Sequence, residues 1–154
     1  MNREEFRRLI TPVTEMLAGK AVDGQLAEEL NRSFPPEGEA FRAIEAGCHQ
    51  AIADGWMCAR GGAGRRFGRI IEPGPETHGF SVDVVDITDF KGPHHRHPTG
   101  EICMVMPVTE TATFCGNGRG WCVYEPGSAH HPTVAGGEAL VLYMLPEGRI
   151  EFTE

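Results

Sequence analysis

PHHRHPTGEICMVMP, residues 93–107, sets three histidines within four positions and a glutamate four residues after the last of them. Read as a strand, residues two apart project to one side, so His95 and His97 share a face while His94 and Arg96 take the other. Pro98-Thr99-Gly100 interrupts the strand as a turn would. Glu101 then opens a second run, Ile102-Met104-Met106-Val108, with apolar residues at every second position. The turn returns the Glu101 carboxylate toward the two rings, and HxHxxxE becomes a three-donor spacing. A fourth donor is available in YEPGSAHHP (124–132), where Gly127 permits a tight turn before His130. Three imidazoles and one carboxylate suit Fe, Mn, Ni, Cu or Zn better than Ca or Mg, which prefer oxygen ligands throughout. His94 and His131 are the substitutes if the register is displaced by one.

Outward from this cluster the period-two pattern persists. Phe80-Val82-Val84 alternates in the same way, and Gly, Pro and Asn clusters punctuate the runs. Strands are expected at 66–71, 79–87, 94–97, 101–108, 111–115, 120–124, 138–145 and 149–153, with CGNGRG (115–120) as a hairpin turn between two of them. Many short strands with frequent turns favour a small barrel or jelly roll. Ile102, Met104 and Met106 are read as core; Cys103 and Val105, sharing parity with Glu101, are read as cavity wall. Before Gly61 the spacing is helical: Phe6, Leu9, Ile10, Val13 and Leu17, then Leu26, Leu30 and Phe34, then Phe41, Ile44, Cys48 and Ile52. Three short helices are expected, the first restarting at Pro12 after a Thr11 cap. The expected division is a helical segment over 1–60, packed on a β domain over 61–154.

Composition excludes several classes of function. With 22 acidic and 14 basic residues the formal charge is -8, and apart from Arg65-Arg66 the basic residues are scattered, so nucleic acid is not an expected partner. No apolar run is long enough to cross a bilayer, and MNREEFRRLI lacks the apolar core of a secretory signal; a cytoplasmic location without membrane attachment is expected. Five cysteines at irregular spacings match neither a disulfide framework nor a CxxC zinc clip. GNGRG is not a GxGxxG fingerprint and the chain is too short to add a dinucleotide-binding unit, so neither NAD nor flavin is expected.

The histidine motifs resemble those of the cupins, small β-barrels whose first motif contains HxHxxxE and whose second contains PxGxxH. Here these are His95-Arg96-His97-Pro98-Thr99-Gly100-Glu101 and Gly127-Ser128-Ala129-His130, with Pro126 directly before Gly127 and the upstream glycine displaced to Gly92. The resemblance implies a barrel over about 62–154 with a divalent metal in its mouth. Cupins also commonly pair, and a homodimer is expected. The whole chain, the helical segment followed by GPETHGFSVDVV, GPHHRHPTGEI, YEPGSAHHPTV and GGEALVLYMLPEGRIEF in that order, resembles bacterial 4-hydroxylaminobenzoate lyases, cupin-like enzymes of nitroaromatic breakdown. That family implies conversion of a small aromatic carboxylate, 4-hydroxylaminobenzoate, with water to 3,4-dihydroxybenzoate and ammonia. A cupin dioxygenase acting on an aromatic substrate and a non-catalytic metal-binding cupin are the alternatives.

Within that reading, His95, His97, Glu101 and His130 are the expected metal ligands. His78 is the candidate proton shuttle, because an imidazole titrates near neutrality. Arg69, inside FGRIIEP, is the candidate for bidentate binding of the substrate carboxylate. Arg60, Arg96 and Arg119 compete for that role.

Overall fold

A computed structural model describes residues 1–153; Glu154, at the end of the expected β unit, lies outside them. Three helices come first: α1 (Arg3–Leu17), α2 (Gly24–Ser33) and α3 (Glu39–Ala53). The first is fixed at its start by a capping box, in which Asn2 Oδ1 accepts the Glu5 N–H at 2.8 Å and Glu5 Oε1 accepts the Asn2 N–H at 3.0 Å. Asp23 caps α2 through the Leu26 N–H. Contrary to the expected restart, α1 runs unbroken through Pro12. Pro12 and Arg8 both lie on its exposed face, so the Arg8 carbonyl that loses its intrahelical partner faces solvent.

Among the described residues ten strands follow: β1 (Arg60–Gly62), β2 (Arg65–Ile71), β3 (Phe80–Lys91), β4 (His95–His97), β5 (Glu101–Pro107), β6 (Thr113–Phe114), β7 (Gly120–Tyr124), β8 (Ser128–His130), β9 (Thr133–Pro146) and β10 (Glu151–Phe152). Their pairings make two sheets rather than one closed ring. The larger has the order β1-β2-β3-β9-β5-β7, with β6 added on β9; the smaller is β10-β4-β8. The fold is mainly β, of jelly-roll type, with the helices N-terminal. CGNGRG does form a tight turn, with Cys115 and Gly116 both at positive φ, but β6 and β7 do not pair across it. Each instead finds a long-range partner, β6 on β9 and β7 on β5.

Strand parity explains why the large sheet is covered on both sides. Ile102, Met104 and Met106 on β5 join Leu140 and Leu142 on β9 and pack against Phe6, Leu30 and Phe41 of the helices. The alternate residues, Cys103, Val105 and Val141, make a second core with Ile87, Phe114 and Val134 on the opposite face. Every residue of β5 is therefore buried. No helix among the described residues is long and apolar enough to cross a membrane.

Candidate metal centre

The small sheet carries the histidines. In β4 the burial alternates as parity requires, His95 and His97 inward and Arg96 outward. Antiparallel pairing with β8 sets His130 directly opposite His95 and Ser128 opposite His97. Between β4 and β5 the chain reverses through Gly100 at φ +90°, where a Cβ would stand 2.7 Å from Val22 Cγ1 and 3.0 Å from the Tyr124 carbonyl. The His97 carbonyl accepts from both Gly100 N–H (3.2 Å) and Gly127 N–H (2.8 Å), tying the two ligand-bearing turns to one atom. Glu101, the first residue of β5 in the large sheet, is thereby returned to face the rings.

His95, His97, Glu101 and His130 come together across the two sheets, with one potential donor atom from each lying within 4.8 Å of all the others. The three imidazole rings sit 4.7–4.9 Å apart, centroid to centroid. His130 Nε2 is 3.2 Å from His95 Nε2, and Glu101 Oε2 is 2.9 Å from His97 Nε2 and 3.9 Å from His95 Nε2. Burial pushes the His95 pKa down to about 4, outweighing the attraction of Glu101, and burial lowers His130 in the same direction. Burial alone would raise Glu101, but the approach of His97, the Cys103 thiol and His95 prevails and its pKa is lowered. Neutral imidazoles at His95 and His130 beside an ionised Glu101 are protonation states that metal binding requires.

One atom tests whether this set fits an ion. His97 Nε2 is fully buried and, despite its 2.9 Å approach to Glu101, has no aligned hydrogen-bond partner. A buried polar atom left in that state is costly unless something else satisfies it. A divalent transition ion shared by the four donors would do so, and the nitrogen-rich donor set suits Fe, Mn, Ni or Zn.

The donors are themselves held in place. Cys103 Sγ, kept protonated by burial, donates to Glu101 Oε1 at 2.9 Å. Ser128 Oγ meets His97 Nδ1 at 3.1 Å, and Cys115 Sγ lies 3.5 Å from His130 Nδ1. Such contacts fix ring orientation and tautomer. Cys103, expected as cavity wall, therefore also orients a ligand, and the roles of Ser128 and Cys115 emerge only in the structure. Ser128 was within reach of parity, since it stands two residues before His130, but β8 was not expected.

The other candidates are not brought to this cluster. His94 and His131 meet edge to face with centroids 5.0 Å apart, and His131 Nδ1 lies 3.0 Å from the Gly92 carbonyl. His78 is exposed, in left-handed conformation after a short 3-10 turn beside α1. Arg69 shares the inward parity, but its Nε donates to Asp83 at 3.1 Å and its Nη2 to the Gly148 carbonyl at 3.1 Å. Arg96 pairs with Glu151 and Arg119 with Glu45.

Next to the cluster, between the sheets, lies a cavity of about 130 Å³ with His95 and Glu101 in its wall. Val85, Val141 and Tyr143 line it from the large sheet; Phe114 and Phe152 add aromatic faces, and Arg65 and Arg66 stand at the β2 end. Neither His78 nor Arg69 is part of the lining.

The family model described as 4-hydroxylaminobenzoate lyase (PnbB) matches residues 8–152. A 4-hydroxylaminobenzoate lyase from Pseudomonas putida is 30% identical over 97% of this chain and 95% of that protein. One from Nocardioides sp. (strain LMS-CY) is 31% identical over 92% of this chain and 89% of its own. Among solved structures, an RmlC-like cupin protein from Ralstonia eutropha JMP134 aligns with a TM-score of 0.47 at 12% identity, over 62% of this chain and 64% of that one. The DMSP lyase DddQ from Ruegeria pomeroyi DSS-3 aligns at 0.42 and 18%, over 75% and 70%. Matched along nearly its whole length by that family model and by two such relatives, the chain belongs to the 4-hydroxylaminobenzoate lyase family.

Proposed function

We propose that this protein is a metal-dependent lyase converting 4-hydroxylaminobenzoate and water to 3,4-dihydroxybenzoate and ammonia, with His95, His97, Glu101 and His130 as the metal ligands. The observation that carries the reading is the juxtaposition of this donor set with an apolar cavity of single-ring size. At about 130 Å³ the cavity compares with the roughly 150 Å³ apolar cavity that accepts benzene. The reaction is redox-neutral overall: the N–O bond that breaks supplies the oxidising equivalents that ring hydroxylation consumes, so no organic redox carrier is required. Bound at the four donors, a divalent transition ion would supply Lewis acidity toward the hydroxylamino oxygen.

The chain's own residues provide the remainder. Val85, Phe114 and Val141 give the ring apolar walls, and the largely exposed Phe152 borders it at the rim, so polar contacts made against those walls meet less water than at the surface. Cys103 holds one oxygen of Glu101, so that the other is directed at the imidazoles. Tyr143 lines the same cavity, and burial raises its pKa well above the ordinary range, keeping its hydroxyl proton available for hydrogen bonding. His78, outside the cavity lining, would act only by relay through solvent. A homodimer in the cytoplasm completes the proposal; the mass of the purified protein in solution tests the first part.

The deciding experiment is anaerobic incubation of metal-analysed protein with 4-hydroxylaminobenzoate, following ammonia and the catechol. Turnover without oxygen, with label from H₂¹⁸O entering the ring, is the expected result. Label from dioxygen would replace the lyase by a dioxygenase, and unchanged substrate would leave a metal-binding protein.

A further inference from the structure

We propose that Arg65 anchors the carboxylate of the aromatic acid occupying the cavity, and so sets the preference for the acid over its neutral analogues. The proposal deepens the lyase reading and rests on the cavity being an aromatic-acid site. A benzoate carries its charge into a largely apolar space, and a carboxylate there requires a charged donor. Two cationic side chains line the cavity, Arg65 and Arg66. Arg66 is already engaged, its Nη2 2.7 Å from Asp86 Oδ2. Arg65 has neither an ion pair nor a side-chain hydrogen bond among the described residues. Its guanidinium lies 5.6 Å from the centroid of Phe67 and 4.9 Å from that of Phe90. All three side chains belong to the cavity wall.

The backbone beneath Arg65 is held tightly. It is paired with Gly62 at the closed end of the β1–β2 hairpin and with Ile87 on β3. Gly61 stands at φ +95°, where an added Cβ would lie 2.2 Å from the Arg65 carbonyl oxygen, so only glycine lets the hairpin close there. The next turn residue, Gly64, is bonded through its carbonyl to the Thr88 N–H at 2.9 Å. Contact with two aromatic rings restricts the side chain further, and without an ion pair or side-chain hydrogen bond among the described residues its N–H donors are available to a carboxylate. Arg65 is exposed, and these two contacts reduce the rotamer freedom its side chain loses on binding. In a para-substituted benzoate, the carboxylate and the nitrogen substituent project from opposite ends of the ring. Anchoring the carboxylate at Arg65 directs the nitrogen end toward the His95 and Glu101 wall. Arg69 cannot take this part while Asp83 and the Gly148 carbonyl hold its donors.

Calorimetric titration of the purified, metal-analysed protein with 4-aminobenzoate and 4-aminobenzamide tests the assignment in the wild type, Arg65→Gln, Arg65→Lys and Arg66→Gln. The wild type should bind the acid roughly 10- to 100-fold more tightly than the amide, as expected for one charge-assisted contact. Arg65→Gln should lose most of that preference with the amide affinity unchanged, Arg65→Lys should retain part of it, and Arg66→Gln all of it. An acid preference surviving in Arg65→Gln, one lost in Arg66→Gln alone, or none in the wild type would overturn the proposal. Turnover of 4-hydroxylaminobenzoate by the wild type, measured separately, tests the lyase reading. If the wild type is inactive but Arg65→Gln abolishes the preference, the lyase reading fails and the Arg65 assignment stands. Turnover together with an unaltered preference in Arg65→Gln sinks only the assignment.

Discussion

Replacing Asn31 by alanine would remove a side chain that stands in for a missing strand. Among the described residues β7 is the last strand of the large sheet, with β5 on one side and no strand on the other. On its open side Asn31 of α2 accepts the Trp121 N–H at Oδ1 (3.0 Å) and donates from Nδ2 to the Trp121 carbonyl (3.1 Å), matching both backbone groups as a neighbouring strand would. Trp121 is only 5% exposed, and its indole N–H is tied to the Phe34 carbonyl at 2.9 Å, so water has poor access to the vacated groups. Each orphaned group costs about 1–3 kcal/mol, and partial hydration brings the pair to roughly 2–4 kcal/mol. For a domain of this size 1 kcal/mol lowers Tm by about 2–4 °C, giving a fall of about 4–16 °C. Scanning calorimetry should show one transition displaced as a whole, because the same contact joins the helices to the sheet. A Tm within about 1 °C of wild type, or a separate early transition for the helices, would refute the reasoning.

Three further expectations concern the site and its surroundings. His97→Ala should remove most of the bound metal, measured by atomic emission on dialysed protein, whereas His94→Ala should leave occupancy near wild type; equal losses would contradict the parity argument. Ser128→Ala, which releases His97 Nδ1, should weaken metal affinity by about 10- to 100-fold in competition with a chelator, with the fold intact by circular dichroism. Burial raises the Asp83 pKa despite the Arg69 pair, so between its ordinary and its raised value the folded state binds the extra proton and stability falls as pH rises. Asp83→Asn should flatten that part of the denaturation midpoint against pH, and parallel curves for the two proteins would show that another group carries the dependence.

Much of the fold was legible because it depends on contacts close along the chain. Phe6, Ile10, Val13 and Leu17 recur at helical spacing and mark the first helix, whereas its cap is Asn2 and not the expected Thr11. Ile102, Met104 and Met106 separate from Glu101 and Cys103 by parity alone, and the two cores on opposite faces of β5 follow from it. HxHxxxE is equally local: one strand, one turn requiring Gly100 and the start of the next strand bring three donors together within seven residues.

What depended on distant pairing was not legible. His130 stood out as a donor through its glycine turn, but its position opposite His95 comes from β8 pairing with β4, more than thirty residues apart. The partnering of β6 with β9, rather than with β7, is likewise a choice among strands that alternation cannot rank. The arginines show the limit most clearly. Arg65 and Arg69 share parity and chemistry, and strand period alone cannot separate them. Asp83, placed across from Arg69 by the β2–β3 register, takes up one charge, while Phe67 and Phe90 stack on the other and leave its donors open. A side chain's type and direction are set within a few residues of sequence, whereas whether its charge is already neutralised is decided by whatever long-range pairing brings beside it.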